Sequence, residues 1–280
     1  MISLRGVNGR SVINSKVKTI ARELSQRAVT IMKKPQFLTR WFDKPIDQLK
    51  EPWYRFGRVI SIIDGVVNVK AGTTWLDVGC QIGQFLHVVN VNYSISGSGI
   101  DDFDDSNVIE ICRKYFQLEI EHPKDLFANY SWKYYPRRID QIGFALNERF
   151  SFISALEVLE HMINTDAFID ECNEHLETRG YLVISTPNIN SLRNRFTGWW
   201  GVYPTGLEYR TVVHHVRLYN AKVLVQHVES RGFELVTLAG VSFLPVRLLT
   251  NDAVRFLDPI LSKLFPSLCG NLVAVFRKLT

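Results

Sequence analysis

A chain of 280 residues that is 46% hydrophobic can bury one large core, and its four cysteines, Cys80, Cys112, Cys172 and Cys269, form neither a CxxC pair nor a zinc-ligand spacing. This excludes a disulfide scaffold and fits a reducing compartment. The formal net charge of +5 is uneven: residues 1–34 hold eight basic side chains against the single acid Glu23, a balance of +7, which leaves −2 for the remainder.

Residues 11–34 read as a helix, and this basic, serine-containing stretch fits a mitochondrial transit peptide, a basic arm for anionic lipid or RNA, or a solvated helix. No apolar h-region follows the first basic residues, so no secretory signal is expected. A Pro-punctuated aromatic connection, Trp41 to Trp53, leads to a helix from about Tyr54 to Val67. Residues 1–53 are therefore expected to form a basic N-terminal helical extension, and residues 54–280 a single domain.

Within that domain, strands are expected at 74–78, 94–100, 117–121, 150–155, 180–186, 233–239 and 271–277. Helices are expected at 83–90, 105–115, 165–178 and 220–231. Thr178-Arg179-Gly180 and Ser230-Arg231-Gly232 each carry the basic residue and glycine of a helix C-terminus. Alternation of this kind gives an α/β fold with a mainly parallel sheet and helices on both faces.

Two segments exceed a minimal fold and are expected as insertions. Residues 122–149 are aromatic and basic, with Trp132, Tyr134, Tyr135, Arg137 and Arg138. Residues 240–270 place apolar residues near helical spacing between Pro245, Pro259 and Pro266, which suits a cap on the core, a lid over an apolar substrate, or a lipid-docking surface. Phe233 to Leu249 is interrupted by Glu234, Pro245 and Arg247, so no spanning helix is expected. The expected location is cytoplasmic, with mitochondrial import as an alternative and with peripheral membrane contact through 1–34 or 240–270.

The most informative stretch runs from Trp75 to Phe85, Trp-Leu-Asp-Val-Gly-Cys-Gln-Ile-Gly-Gln-Phe: a buried strand that breaks into a glycine turn and opens a helix. Gly79 and Gly83 let the backbone turn sharply and let a ligand approach main-chain N–H groups at a helix N-terminus. A second apolar run ends in Asp101-Asp102, where a doubly wound fold places its ribose-binding carboxylate. The pattern D-x-G-x-x-x-G differs from the G-x-G-x-x-G of dinucleotide dehydrogenases.

Leu76-Asp77-Val78-Gly79-Cys80-Gln81-Ile82-Gly83, Gly99-Ile100-Asp101, Glu157-Val158-Leu159-Glu160-His161 and Ser185-Thr186-Pro187-Asn188 occur in one order. In that order they closely resemble the class I S-adenosylmethionine-dependent methyltransferases, over residues 55 to 240, with the ubiquinone-biosynthesis O-methyltransferases as the nearest type. The resemblance implies a Rossmann-like, mostly parallel seven-stranded sheet with an antiparallel last strand, and S-adenosyl-L-methionine as cofactor. It implies that Asp77, Gly79, Cys80 and Gly83 surround the methionine part of the cofactor, with Asp77 near its ammonium group. Asp101 would accept from the ribose hydroxyls, Asp102 would flank the adenine, and Leu156 and Glu157 would lie against the sulfonium side. The family's adenine-contacting acid is not assigned, since Glu119, Glu121 and Asp125 all lie in range. Most relatives carry glycine where this chain has Gln81.

Methyl transfer requires alignment of nucleophile and methyl group and, for a hydroxyl acceptor, removal of a proton. His161 and His215 are the candidates for that base. The array Glu157, Glu160, His161 with the distal His215 resembles the metal site of ubiquinone-type and small-RNA 2′-O-methyltransferases, so a divalent metal is a possible second cofactor; the alternative is an E-H pair that caps a helix or orients its loop. His87, His175 and His227 read as packing or surface residues. Asn188, Asn190, Arg193 and Arg195 suit either an oxygen-rich substrate or an ordinary polar loop. The expected function is methylation, by preference O-methylation, of a small or lipid- or glycan-linked acceptor. An RNA 2′-O-methyltransferase and a non-catalytic cofactor-binding scaffold are the alternatives.

Overall fold

The computed structural model describes residues 47–81, 83–101, 127–128, 131–139, 143–144, 146–201, 215–244 and 257–280. The helix expected at 11–34, the helix at 105–115, the strand at 117–121, and Asp102, Glu119, Glu121 and Asp125 lie outside them.

Helix α1 spans Asp47–Val66 and so crosses the expected boundary at residue 53, taking Pro52 into its length. Phe56, Val59, Ile60 and Ile63 recur at helical spacing and face the core, with the last three fully buried, so packing of this stripe holds the helix despite the proline. The chain then runs through β1 (Thr74–Val78), α2 (Gln84–Tyr93), β2 (Ser96–Asp101), β3 (Lys133–Pro136) and β4 (Phe150–Leu156). It continues through a 3-10 turn (Leu159–His161), α3 (Thr165–His175), β5 (Leu176–Pro187), α4 (Leu192–Trp199), α5 (Ala221–Glu229), β6 (Phe233–Val241), α6 (Leu257–Leu264) and β7 (Asn271–Lys278). Among the described residues no helix is long and apolar enough to cross a membrane.

The seven strands form one sheet in the order β3-β2-β1-β4-β5-β7-β6. The pairs β1–β2, β1–β4, β2–β3 and β4–β5 are parallel, and β7 inserts antiparallel between β5 and β6. Side chains alternate between two cores. Leu76, Val78, Ile153, Ala155, Leu182, Ile184, Ala274 and Phe276 face α3 and α5, whereas Trp75, Phe152, Val183, Val273 and Val275 face α1 and α2. On the second face the register aligns Trp75, Phe152 and Tyr181 across three strands, with ring centroids 4.5 and 5.0 Å apart.

Two expectations change. The strand paired with β2 is β3, Lys133–Pro136, inside the segment read as an insertion. It is a short edge strand with half-buried or exposed residues and a terminal proline, so it carries no apolar run for a sequence reading to detect. The turn Thr178-Arg179-Gly180 also follows no helix: α3 stops at His175, β5 begins at Leu176, and Arg179 adopts φ 63° within an irregular stretch of strand. By contrast, α5 ends at Glu229 and Gly232 takes φ 87°, as helix C-terminus chemistry requires.

Candidate active site

The carboxyl ends of β1, β2, β4 and β5 meet along one rim of the sheet, where a doubly wound fold binds ligands. After β1 the chain is tied to β2 by Gly79 N–H and Cys80 N–H, which both donate to the Ile100 carbonyl, at 2.9 and 3.3 Å. Gly79 and Gly83 sit at φ 72° and 80°. Gln81 shares the left-handed region at φ 48°, a conformation that costs a side-chain-bearing residue roughly 1–2 kcal/mol. Asp101 Oδ2 supports it by accepting from Gln81 N–H at 2.7 Å. The N-cap of α2 is Gly83, which makes no side-chain cap, so the first-turn N–H groups are suited to an anionic ligand group. The Cys80 side chain is buried: a Cβ on Gly99 would stand 2.6 Å from its Sγ, so Cys80 offers the loop only its backbone.

Asp77 lies on the aromatic face of β1 and is 4% exposed. Its Oδ1 accepts from Ser154 Oγ at 2.6 Å, and that hydroxyl accepts in turn from Trp75 Nε1 at 2.9 Å. Burial pushes the Asp77 carboxyl up to about 7, opposed by the Ser154 hydrogen bond and reinforced by Asp101. Ser154 was not anticipated from sequence, although a serine at period two from Phe152 on a buried strand is the signal for a polar partner.

Half-buried Leu156 packs on the α1–α2 core, and the next residue, Glu157, adopts φ 58°. Its N–H donates to the Ser185 carbonyl and hydroxyl oxygens at 3.0 and 3.1 Å. Its Oε1 accepts from Ser185 Oγ at 2.7 Å, and its Oε2 from Asn271 Nδ2 at 2.8 Å. The same oxygen pairs with Arg55 on α1 at 3.3 Å. Glu157 thus joins α1, β4, β5 and β7, and its carboxylate is fully engaged in that work.

Three residues later the arrangement is different. Glu160 is 2% exposed; Thr186 Oγ1 donates to its Oε2 at 3.1 Å, while its Oε1 is buried with no hydrogen-bond partner. Burial, and then the charge of Glu157, pushes its carboxyl up to about 8. The Glu160 carbonyl accepts from Val216 N–H and Arg217 N–H at 2.9 and 3.1 Å, which draws the segment at 215–217 beside the 3-10 turn. His161 and His215 then meet edge to face, 4.8 Å between ring centroids. One ligand atom each from Glu160, His161 and His215 lies within 4.8 Å of the others. The structure therefore brings together three of the four residues expected for a metal and leaves Glu157 outside the group.

The donor set fits a divalent ion: one hard carboxylate oxygen with an unmet hydrogen-bonding need and two imidazoles. Glu160, His161 and His215 are the residues that would hold it.

Asn188, 1% exposed, donates through Nδ2 to the carbonyls of Ser267 and Cys269 at 2.9 and 2.8 Å and so fastens the turn before β7. His175 stacks on Phe144, and His227 bridges Tyr219 and Asp166. These residues do framework work away from the cluster.

Residues 25–238 match the sequence model of the family described as "Methyltransferase domain". A probable S-adenosylmethionine-dependent methyltransferase of Mycolicibacterium smegmatis is 24% identical over 208 residues, 74% of this chain and 70% of the relative. Among solved structures, a putative sarcosine dimethylglycine methyltransferase from Galdieria sulphuraria matches with a TM-score of 0.53 at 11% identity, covering 84% of this chain and 87% of that one. An S-adenosylmethionine-dependent methyltransferase from Thermotoga maritima, a possible histamine N-methyltransferase, matches with a TM-score of 0.52 at 11% identity, covering 90% and 99%. These structural likenesses carry the fold, while the match over residues 25–238 carries the family: the chain belongs to the methyltransferase-domain family and is an S-adenosylmethionine-dependent methyltransferase.

Proposed function

We propose that this methyltransferase transfers its methyl group to a hydroxyl of a small or lipid- or glycan-linked acceptor, seated beside Glu160, His161 and His215. The observation that carries the reading is the grouping of these three side chains, together with the buried, unpartnered Oε1 of Glu160. In this reading the cofactor's methionine part lies along Gly79, Cys80 and Gly83 with its ammonium group beside Asp77. Asp101 would hold its ribose, and Leu156 and Glu157 would lie against its sulfonium side. Asp102, the proposed adenine neighbour, follows directly on β2.

When bound, S-adenosylmethionine would supply a sulfonium-activated methyl group to the acceptor oxygen and leave as S-adenosylhomocysteine. His161 receives the hydroxyl proton, and Glu160, held by Thr186, fixes the turn that presents the imidazole. The alternative to His161 as base is a divalent ion that Glu160, His161 and His215 would hold, which would lower the pKa of the acceptor hydroxyl in place of that base. Glu157 keeps the cleft in shape by locking its own left-handed backbone and anchoring α1.

The test is calorimetric titration of Mn²⁺ and of S-adenosylhomocysteine into the wild type, His215→Ala and Glu160→Gln. Loss of Mn²⁺ binding in both variants with cofactor binding retained supports the metal site. Equal Mn²⁺ binding in all three proteins refutes it. Mass spectrometry of products formed from hydroxylated acceptors, with and without chelator, then tests the O-methyl assignment.

A further inference from the structure

Helix α4 is turned inside out. Its N-cap Ser191 and the polar Asn194 are buried, and Asn194 Nδ2 donates to the Asn188 carbonyl at 3.2 Å. Leu192, Phe196 and Trp199, at i, i+4 and i+7, point outward together with Trp200, at 46%, 65%, 90% and 76% exposure. On a helix of about 3.6 residues per turn these four occupy one face, with exposed Arg193 and Arg195 on its two flanks. No acid occurs between residues 178 and 207.

The apolar character continues toward the candidate active site. Ile163, two residues after His161, is 70% exposed, and Val216, next to His215, is 48% exposed. Arg217 donates to the Ile163 carbonyl, and Ile189 N–H to the Tyr219 carbonyl, so the approach to α4 and the rim of the cluster form one hydrogen-bonded surface.

We propose that the outward face of α4 is a membrane-interface element that seats Phe196, Trp199 and Trp200 at the headgroup–acyl boundary of an anionic bilayer. The indole rings suit that boundary, and the flanking guanidinium groups pair with anionic headgroups. Other occupants fit the charge poorly. The N-terminal segment 1–34 carries +7 and is repelled by Arg193 and Arg195, and a second copy packed face to face would crowd four arginines together.

The test uses the full chain with phosphatidylcholine vesicles, with and without phosphatidylglycerol, in sedimentation and in bromolipid quenching of tryptophan fluorescence. The wild type should bind the anionic vesicles and be quenched. The triple change Phe196→Ser, Trp199→Ser, Trp200→Ser should weaken partitioning by roughly tenfold or more. Arg193→Glu with Arg195→Glu should weaken it by roughly tenfold at low salt. S-adenosylhomocysteine binding, retained in each variant, reports the fold, and the arginine pair carries the test if the serine variant does not fold. Because Trp41 and Trp53 lie toward the N-terminus, loss of quenching in Trp199→Phe, Trp200→Phe separates insertion of α4 from adhesion by the basic N-terminal segment. Absence of vesicle binding, binding without quenching, undiminished binding in the variants, or capture only by an acidic protein would each overturn the proposal.

Discussion

Replacing Asp77 by Asn separates the electrostatic role of the glycine-loop acid from its role in the fold. With a carboxyl pushed up to about 7 by burial, Asp77 is half ionised at neutral pH in the free protein. In the proposed placement the cofactor's ammonium group lies beside Asp77 and would select the ionised form. The competent fraction is then about one half at pH 7 and about one tenth at pH 6, so the dissociation constant should be about twofold and tenfold weaker there than on its high-pH plateau. The same shift has the opposite sign for the unliganded fold. Because the folded carboxyl lies above its ordinary value of 3.8, the native state holds a proton that the unfolded chain has lost, and stability falls as pH rises from about 4 to about 7. Asp77→Asn removes this loss and should raise unliganded stability above pH 7 by at most about 4 kcal/mol, while weakening cofactor binding and flattening its pH dependence. Calorimetry with S-adenosylhomocysteine between pH 5.5 and 7.5, paired with urea unfolding of both proteins, measures both effects. Wild-type binding that is flat across this range, or a slope that survives in the Asn variant, would refute the reasoning.

Gly99→Ala should destabilise the protein by about 1–3 kcal/mol in urea unfolding, since the new Cβ would lie 2.6 Å from Cys80 Sγ and 2.6 Å from Phe127 Cζ; an unchanged midpoint would contradict this packing. Asp101→Ala should cost roughly 1.5–3 kcal/mol of cofactor binding, and an unaltered dissociation constant would remove Asp101 from the ribose site. Glu160→Gln should abolish Mn²⁺ binding with little change in thermal midpoint. Glu157→Gln should lower the midpoint through its contacts to Arg55, Ser185 and Asn271 and leave Mn²⁺ binding in place, and the reverse pattern would exchange their roles.

The sequence exposed those elements whose burial leaves a one-dimensional trace. Strands such as β1 and β5, covered on both faces, read as apolar runs, and the turn at Gly79 and Gly83 announced itself through glycine at positive φ. Edge strand β3, with its exposed lysine and half-buried tyrosines, left no such trace. Helix α1 was read as shorter because Pro52 marks a boundary by local rules, whereas contacts of Val59, Ile60 and Ile63 with the sheet override them. Gly79 is more constrained than a ligand loop alone demands: a Cβ there would stand 2.5 Å from Val158 Cγ2. Gly79→Val is therefore expected to disturb the fold as well as the cofactor, which a reading of the loop by itself does not reveal.

The division of labour between Glu157 and Glu160 follows from where β4 ends. Both acids stand in one short motif and carry the same group, so spacing alone treats them as equivalent ligands. Strand β4 delivers Glu157 into a left-handed conformation that turns its carboxylate back over β5 and β7, where Ser185, Asn271 and Arg55 neutralise and bind it. The 3-10 turn then carries Glu160 into the interior with one oxygen bound to Thr186 and the other unmet, while its carbonyl gathers the segment bearing His215. A buried carboxylate oxygen without a partner costs about 1–3 kcal/mol, and more when charged, so a fold that keeps one must recover the cost from a proton or a cation. The imidazoles of His161 and His215 stand beside the same carboxylate, and it is on this grouping that the proposed divalent site rests.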